Sequence, residues 1–315
     1  MKKTSKKLIS LVMIVGILLS SFGLVSCTAP KNVGLAKEIA GKIATWQVEN
    51  VTITPGDTDL DGELDWSVYA CARGGYSGYD NYLDYIDGAV KANYDKLELT
   101  DVARIALAVD AKKGDPKSVG GHNLIDTITS TDFATEVFTA GISNALLVLD
   151  SKDYGNEAVK NELIQILTSA QRNDGGFNYL LKADPEDTYS IDGDVDSTAM
   201  VLQALAPYAA DAERTAVITP AVAFVKAGQK DTGGFGGAWG DSPDTTAQAL
   251  TALSSLGIDP MGTDYIKNET TVLEAVKAYQ NEDGGIKGFD GTSNAMSSYQ
   301  MLNALNAYIS FAKGQ

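Results

Sequence analysis

One phrase recurs in the second half of the chain and limits what it can fold into. Q-R-N-D-G-G-F starts at Gln171, Q-K-D-T-G-G-F at Gln229 and Q-N-E-D-G-G-I at Gln280. Each leads, through a short polar stretch, into an apolar segment rich in small residues: D-S-T-A-M-V-L-Q-A-L from Asp196, D-T-T-A-Q-A-L-T-A-L from Asp244 and M-S-S-Y-Q-M-L-N-A-L from Met296. The glutamines lie 58 and 51 residues apart, and the starts of the apolar segments 48 and 52. A self-similar period near fifty, in two-helix units, predicts a helical repeat in which each unit buries its apolar face against its neighbours.

Helical spacing of apolar residues extends the pattern towards the N-terminus. Inner helices are expected to start near residues 65, 100, 141, 196, 244 and 296. Outer helices are expected at 33–47, 81–94, 123–128, 157–170, 220–227 and 271–279, each paired with the inner helix after it. The inner segments carry Ala103, Ala106, Ala108, Ala145, Ala199, Ala204, Ala247, Ala249, Ala252, Ala304 and Ala307. Small side chains let helices approach closely, as an inner ring requires. A linear solenoid would need polar end units, and neither the first nor the last unit is polar. The expectation is therefore an all-α ring of six inner and six outer helices. Asp196 and Asp244, each followed by Ser or Thr, read as N-caps of their helices, and Thr100 reads as another.

The first 27 residues have a different character. Lys2, Lys3, Lys6 and Lys7 precede an apolar run from Leu8 to Leu19, and L-V-S-C closes the segment at Cys27. This is the form of an export signal, and L-V-S-C resembles the lipobox of bacterial lipoproteins, whose cysteine is lipidated after cleavage. The domain expectation is a signal at 1–27, a tether at 28–32 and the ring at 33–315, anchored by Cys27 to the extracytoplasmic face of the cell membrane. The formal charge is −16, and loss of the four signal lysines would leave −20. Such a chain repels phosphate backbones, which excludes nucleic acid as a partner class. With Cys27 processed, Cys71 is the remaining thiol; its apolar setting, V-Y-A-C-A, reads as core.

A second motif stands before the first inner helix. G-D-T-D-L-D-G-E-L-D alternates Asp57, Asp59 and Asp61 around Gly62 and continues with Glu63 and Asp65. Oxygen ligands at alternate positions about a glycine bend are what a calcium ion needs. The twelfth position of the loop is Val68, where an EF-hand has its bidentate glutamate, so binding in the extracellular range of about 10⁻⁴–10⁻³ M is expected. The single histidine, His122, has no ligand spacing to Cys71, so no zinc site is expected.

The recurring phrase resembles the Q-W motif of squalene and oxidosqualene cyclases, with the tryptophan replaced, and D-V-D-S-T-A at 194–199 resembles their D-x-D-D-T-A. The resemblance to the prenyltransferase/squalene-cyclase repeat covers roughly residues 33–315 and implies a terpenoid-cyclase-like α/α toroid. It implies that Asp196 corresponds to the protonating aspartate, but the neighbouring acid corresponds to Ser197, and the second helical domain of those cyclases is not in this chain. Candidate ligand-binding positions are Trp66, Tyr69, Asp194, Asp196, Trp239, Asp244, Gln248 and Tyr299, with Asp196 and Asp194 also the candidate catalytic pair. The expected function is binding of a small molecule, isoprenoid, glycan or surface protein without catalysis. The alternatives are a terpenoid-cyclase or prenyltransferase-type enzyme and a polysaccharide-processing enzyme.

Overall fold

The computed structural model describes residues 29–237 and 240–314, with side chains from Asn32 onward. Cys27 and the export signal lie outside the described residues. Among these residues there are twelve α-helices: α1 (Ala29–Asn50), α2 (Gly62–Gly74), α3 (Tyr82–Asn93), α4 (Leu99–Ala111), α5 (Leu124–Thr129), α6 (Thr139–Ser151), α7 (Glu157–Ser169), α8 (Val195–Leu205), α9 (Ala212–Ala227), α10 (Pro243–Ser255), α11 (Val272–Tyr279) and α12 (Ala295–Lys313). α1 takes in residues 29–32, which the sequence assigns to a tether. α9 starts eight residues before the expected Pro220, with Asp211 as its cap, and carries that proline inside the helix.

The even-numbered helices form the inner ring. Each packs on the next, α2 on α4, α4 on α6, α6 on α8, α8 on α10 and α10 on α12, and α12 packs back on α2 to close the circle. The expected alanines make this possible: Ala103, Ala145, Ala199, Ala204, Ala249, Ala252 and Ala304 are all fully buried. The outer helices pair differently from the expectation. α5, α7, α9 and α11 lean on the inner helix before them in sequence, and α1 leans on α12, at the far end of the chain. Closure therefore joins the two ends of the chain, with the Gln47 Nε2 amide donating to the Ala295 carbonyl (2.8 Å) and Trp46 Nε1 to Asp283 (3.1 Å).

The recurring phrase is the joint between units. Gln171 Nε2 donates to Gly175 O in its own turn and to Val217 O in α9. Gln229 does the same with Gly233 O and Tyr265 O, and Gln280 with Gly284 O and Ile39 O of α1. One amide thus fixes its own turn and clips it to the next unit, and the third clip crosses from the end of the chain to its beginning. The two glycines have separate reasons. Gly175, Gly233 and Gly284 have φ of 88°, 85° and 96°, where side chains are strained. At Gly234, a Cβ would sit 2.1 Å from the Tyr279 hydroxyl oxygen, so the second glycine leaves room for the turn to close. The residue that ends each phrase, Phe177, Phe235 or Ile286, is fully buried. Its N–H donates to a hydroxyl inside the following inner helix, Thr198, Thr246 or Ser298, each at 2.8 Å.

Candidate functional site

The turns that follow these phrases bring the N-termini of the inner helices together on one face, and the caps are not those expected. α8 is capped by Asp194, whose Oδ1 accepts from Ser197 N at 2.7 Å. α10 is capped by Ser242 and α12 by Asn294. Asp196 and Asp244 stand two residues further on, inside the first turns. α4 is capped by Glu98, whose N–H donates to Asp101 Oδ2, so Thr100 also lies inside its helix. In each case a polar residue just upstream, extended in backbone, takes the cap.

Freed from capping, Asp196 reaches sideways. Its Oδ2 accepts from Thr245 Oγ1 of α10 at 3.1 Å, and its Oδ1 is buried without a hydrogen-bond partner. Burial, with the negative charges of Asp194 and Asp244 in support, pushes its carboxyl up to about 6, and the Thr245 hydroxyl opposes the rise. Burial also raises Asp244, with the Ser297 hydroxyl opposing it, and Asp244 Oδ1 has no partner. Burial raises Asp194 as well, against the Ser197 backbone N–H. The three carboxylates form an arc along the rims of α8 and α10. Tyr299 of α12 continues it, close enough to Asp244 and Glu63 to be affected by both charges.

Tyr299 also stacks on Trp66 of α2, with ring centroids 6.3 Å apart and planes 24° apart. These two rings and the acidic stretch Asp57, Asp59, Asp61 and Glu63 line an open cavity of about 580 Å³. The expected calcium ligands are partly engaged elsewhere. Asp61 is the N-cap of α2, accepting from Glu63 N and Leu64 N. Asp65 is fully buried, accepting from Tyr82 Oη (2.8 Å) and from Arg104 Nε (2.9 Å). Asp65 therefore cannot serve as a metal ligand, because leaving Arg104 would strand both charges in the core. Among the described residues no group of three or more carboxylates, histidines or cysteines is placed to hold a metal ion.

Of the other candidates, Tyr69 meets Trp66 edge-on at 5.6 Å and accepts from Arg73 Nη1 at 2.8 Å. Gln248 is not free for a ligand. Its Oε1 accepts from Gln203 of α8 and its Nε2 donates to Gln300 of α12, a ladder across three inner helices. Trp239 lies outside the described residues. Cys71 is buried in α2, with its thiol pushed up to about 12 by burial, and His122 stacks on Tyr94 with ring centroids 3.5 Å apart. The sequence reading missed Phe138, Tyr179 and Tyr189, which are exposed on the same face. The signal available for them was the length of the stretch after Phe177: seventeen residues to the cap, against seven and eight in the next two units.

This arrangement offers acceptors and buried carboxyls, each raised above the usual carboxylate range, beside aromatic faces. Arg104, beside the arc, is paired with Asp65 and with Asp101 at 2.9 Å each. Such a site suits hydroxyl-rich or cationic ligands. The polar glutamine ladder is a poor lining for a long hydrocarbon.

Comparison with known proteins agrees with the architecture. Residues 177–308 match the squalene-hopene cyclase C-terminal domain family. No curated protein matches the chain in sequence. Among solved structures, a glycosyl hydrolase of family 88 from Bacteroides vulgatus superposes with a TM-score of 0.61 at 12% identity, covering 88% of this chain and 99% of that one. A type II terpene cyclase from Scytonema, in complex with geranylgeranyl dihydroxybenzoate, gives 0.57 at 10% identity, covering 89% and 99%. An unsaturated glucuronyl hydrolase from Bacillus sp. GL1 gives 0.55 at 14%, covering 87% and 96%. With the closed double ring and the glutamine clasps, the chain has an α/α toroid fold, and its C-terminal units resemble the squalene-hopene cyclase C-terminal domain family.

Proposed function

We propose that the chain is a ligand-binding toroid, lipid-anchored at Cys27 on the extracytoplasmic side of the membrane, that holds a polar ligand at the inner-helix N-terminal rim without transforming it. The observation that carries this reading is the contrast between rim and interior. The rim is open and lined by carboxylates and stacked aromatics, while the Gln203–Gln248–Gln300 ladder occupies the space between α8, α10 and α12. Among the described residues no helix is long and apolar enough to cross a membrane. If the lipid on Cys27 is the anchor, Cys27→Ser should move the protein from the membrane to the soluble fraction. The test of binding is capture of small molecules from a cell extract by the purified protein, read by mass spectrometry, beside Tyr299→Ala. We expect a bound compound that Tyr299→Ala loses; identical profiles for the two proteins would refute the site.

A second reading, an acid–base enzyme acting on a glycan, is favoured by Asp196. Its carboxyl, near 6 and with one unpartnered oxygen, is tuned as a proton donor should be, and the hydrolases among the structural neighbours fit that chemistry. It predicts turnover that Asp196→Asn abolishes with the fold intact. Conversion of the captured compound by wild type alone would replace the binding reading with this one.

A further inference from the structure

The turn between Phe177 and Asp194 is about ten residues longer than its counterparts, and the extra chain is not loose. The Arg172 guanidinium donates to four carbonyls, those of Ala170, Leu180, Leu181 and Ser190. Asn178, 1% exposed, donates its amide to Tyr189 O and Asp192 O. The stretch before α6 joins it, with Thr139 N donating to Tyr179 O, Leu181 N to Val137 O and Thr139 Oγ1 to Asn178 O. A buried amide and a guanidinium with four acceptors hold this turn in one shape.

That shape places three aromatic rings in a row in solvent. Phe138 and Tyr179 have centroids 6.5 Å apart and planes 26° apart, and Tyr179 and Tyr189 follow at 6.1 Å and 34°. The three are 44%, 37% and 55% exposed. Val137 and Ile191, in the same two segments, are exposed as well. Tyr179 is held by its hydroxyl, which donates to Asp187. An exposed apolar patch on a braced support marks a place where something binds. Tyr189 also feels the charges of Asp194 and Asp196, so the end of the row lies on the side of the carboxylate arc.

We infer that Phe138, Tyr179 and Tyr189 form a stacking platform for the pyranose faces of an uncharged oligosaccharide, which continues from there onto the carboxylate rim. Sugar rings present flat faces of C–H groups that pack on aromatic rings, and their edges present hydroxyls that donate to carboxylates. Consecutive near-parallel rings on a rigid support suit a chain of such faces, where a single small molecule would need one. Charge selects the class. The turn carries Asp184, Glu186, Asp187 and Asp192, the guanidinium of Arg172 is committed to carbonyls, and Lys182 is the one exposed cation in the turn. Uronate or sulfate chains are repelled. The inference rests on the rim reading above and extends it by naming the ligand class and a second contact surface.

The test is calorimetry on the purified full chain with cellohexaose, mannohexaose and N-acetylchitohexaose, and hexagalacturonate as the anionic control. At least one neutral hexaose should bind. Phe138→Ala and Tyr189→Ala should each weaken it by about fivefold or more, of the order of 1 kcal/mol, with melting temperatures unchanged because both rings are exposed. Tyr189→Phe, which keeps the ring, should retain binding. No binding of any neutral hexaose at millimolar concentration, hexagalacturonate binding as tightly, or affinity unchanged in both alanine variants would overturn the platform. If affinity is unchanged in these but lost in Tyr299→Ala, the platform falls and the rim reading stands. If the platform variants lose binding and Tyr299→Ala does not, the platform stands and the rim reading falls.

Discussion

Asp196→Asn should make the protein more stable at neutral and alkaline pH while leaving it unchanged in acid. The carboxyl titrates near 3.8 when exposed and near 6 in the fold, mainly because it is buried. That difference corresponds to about 3 kcal/mol, the amount by which ionising Asp196 disfavours the folded state. The sign follows from proton counts. Below about pH 4 both states hold the proton and the cost is absent. Between about pH 4 and 6 the unfolded chain releases it and the folded chain does not, so this residue's contribution falls as pH rises, and above about 6 the full cost persists. Asparagine carries no charge and still offers Thr245 an acceptor. Urea denaturation of both proteins at pH 3, 6 and 8 should therefore give nearly coincident midpoints at pH 3 and a gain of about 3 kcal/mol for the variant at pH 8. The difference between proteins is the relevant quantity, since Asp194 and Asp244 titrate in both. A variant of equal or lower stability at pH 8 would refute the burial argument and return Asp196 to an ordinary solvated role.

Two further outcomes are expected. Gln229→Ala removes both amide bonds of a clasp whose acceptors, Gly233 O and Tyr265 O, lie 3.0 and 2.6 Å away, and should cost about 2–4 kcal/mol in denaturant unfolding; a loss below about 1 kcal/mol would show that the clasp is dispensable. For calcium, Asp65 is paired and Asp61 is a cap, and Asp57, Asp59 and Glu63 are not gathered around one point, so we propose that any ion at the acidic stretch must draw these three together from solvent. A calorimetric titration should then show binding no tighter than about 1 mM, and a one-site isotherm in the micromolar range would contradict the assignment.

The legible part of this protein was the part written in repeats. The Q-x-x-x-G-x-F phrases, the small-residue segments and their spacing are local patterns, and local geometry dictates them: a turn that needs positive φ demands glycine, and a crowded ring demands alanine. All twelve helices and their inner or outer identity could be read from such patterns. The site was less legible because its members depend on who their neighbours become. Asp196 and Asp194 lie two residues apart and both resemble caps. Only the approach of α10 decides that Asp194 closes the helix while Asp196 turns to Thr245 and is buried. Asp65 reads as one of five alternating acids, yet it leaves the series because Arg104, thirty-nine residues on, enters the core beside it. Gln248 reads as a free polar group in an inner helix, and ring closure sets glutamines on both sides of it. Phe138 meets Tyr179 only because two turns of different units cross-bond. The sequence by itself determined the helical units, their glycine joints and the ring. The tertiary structure alone decided which carboxylates are buried, which are paired and which aromatics share a surface, because burial and charge are properties of surroundings assembled from distant parts of the chain.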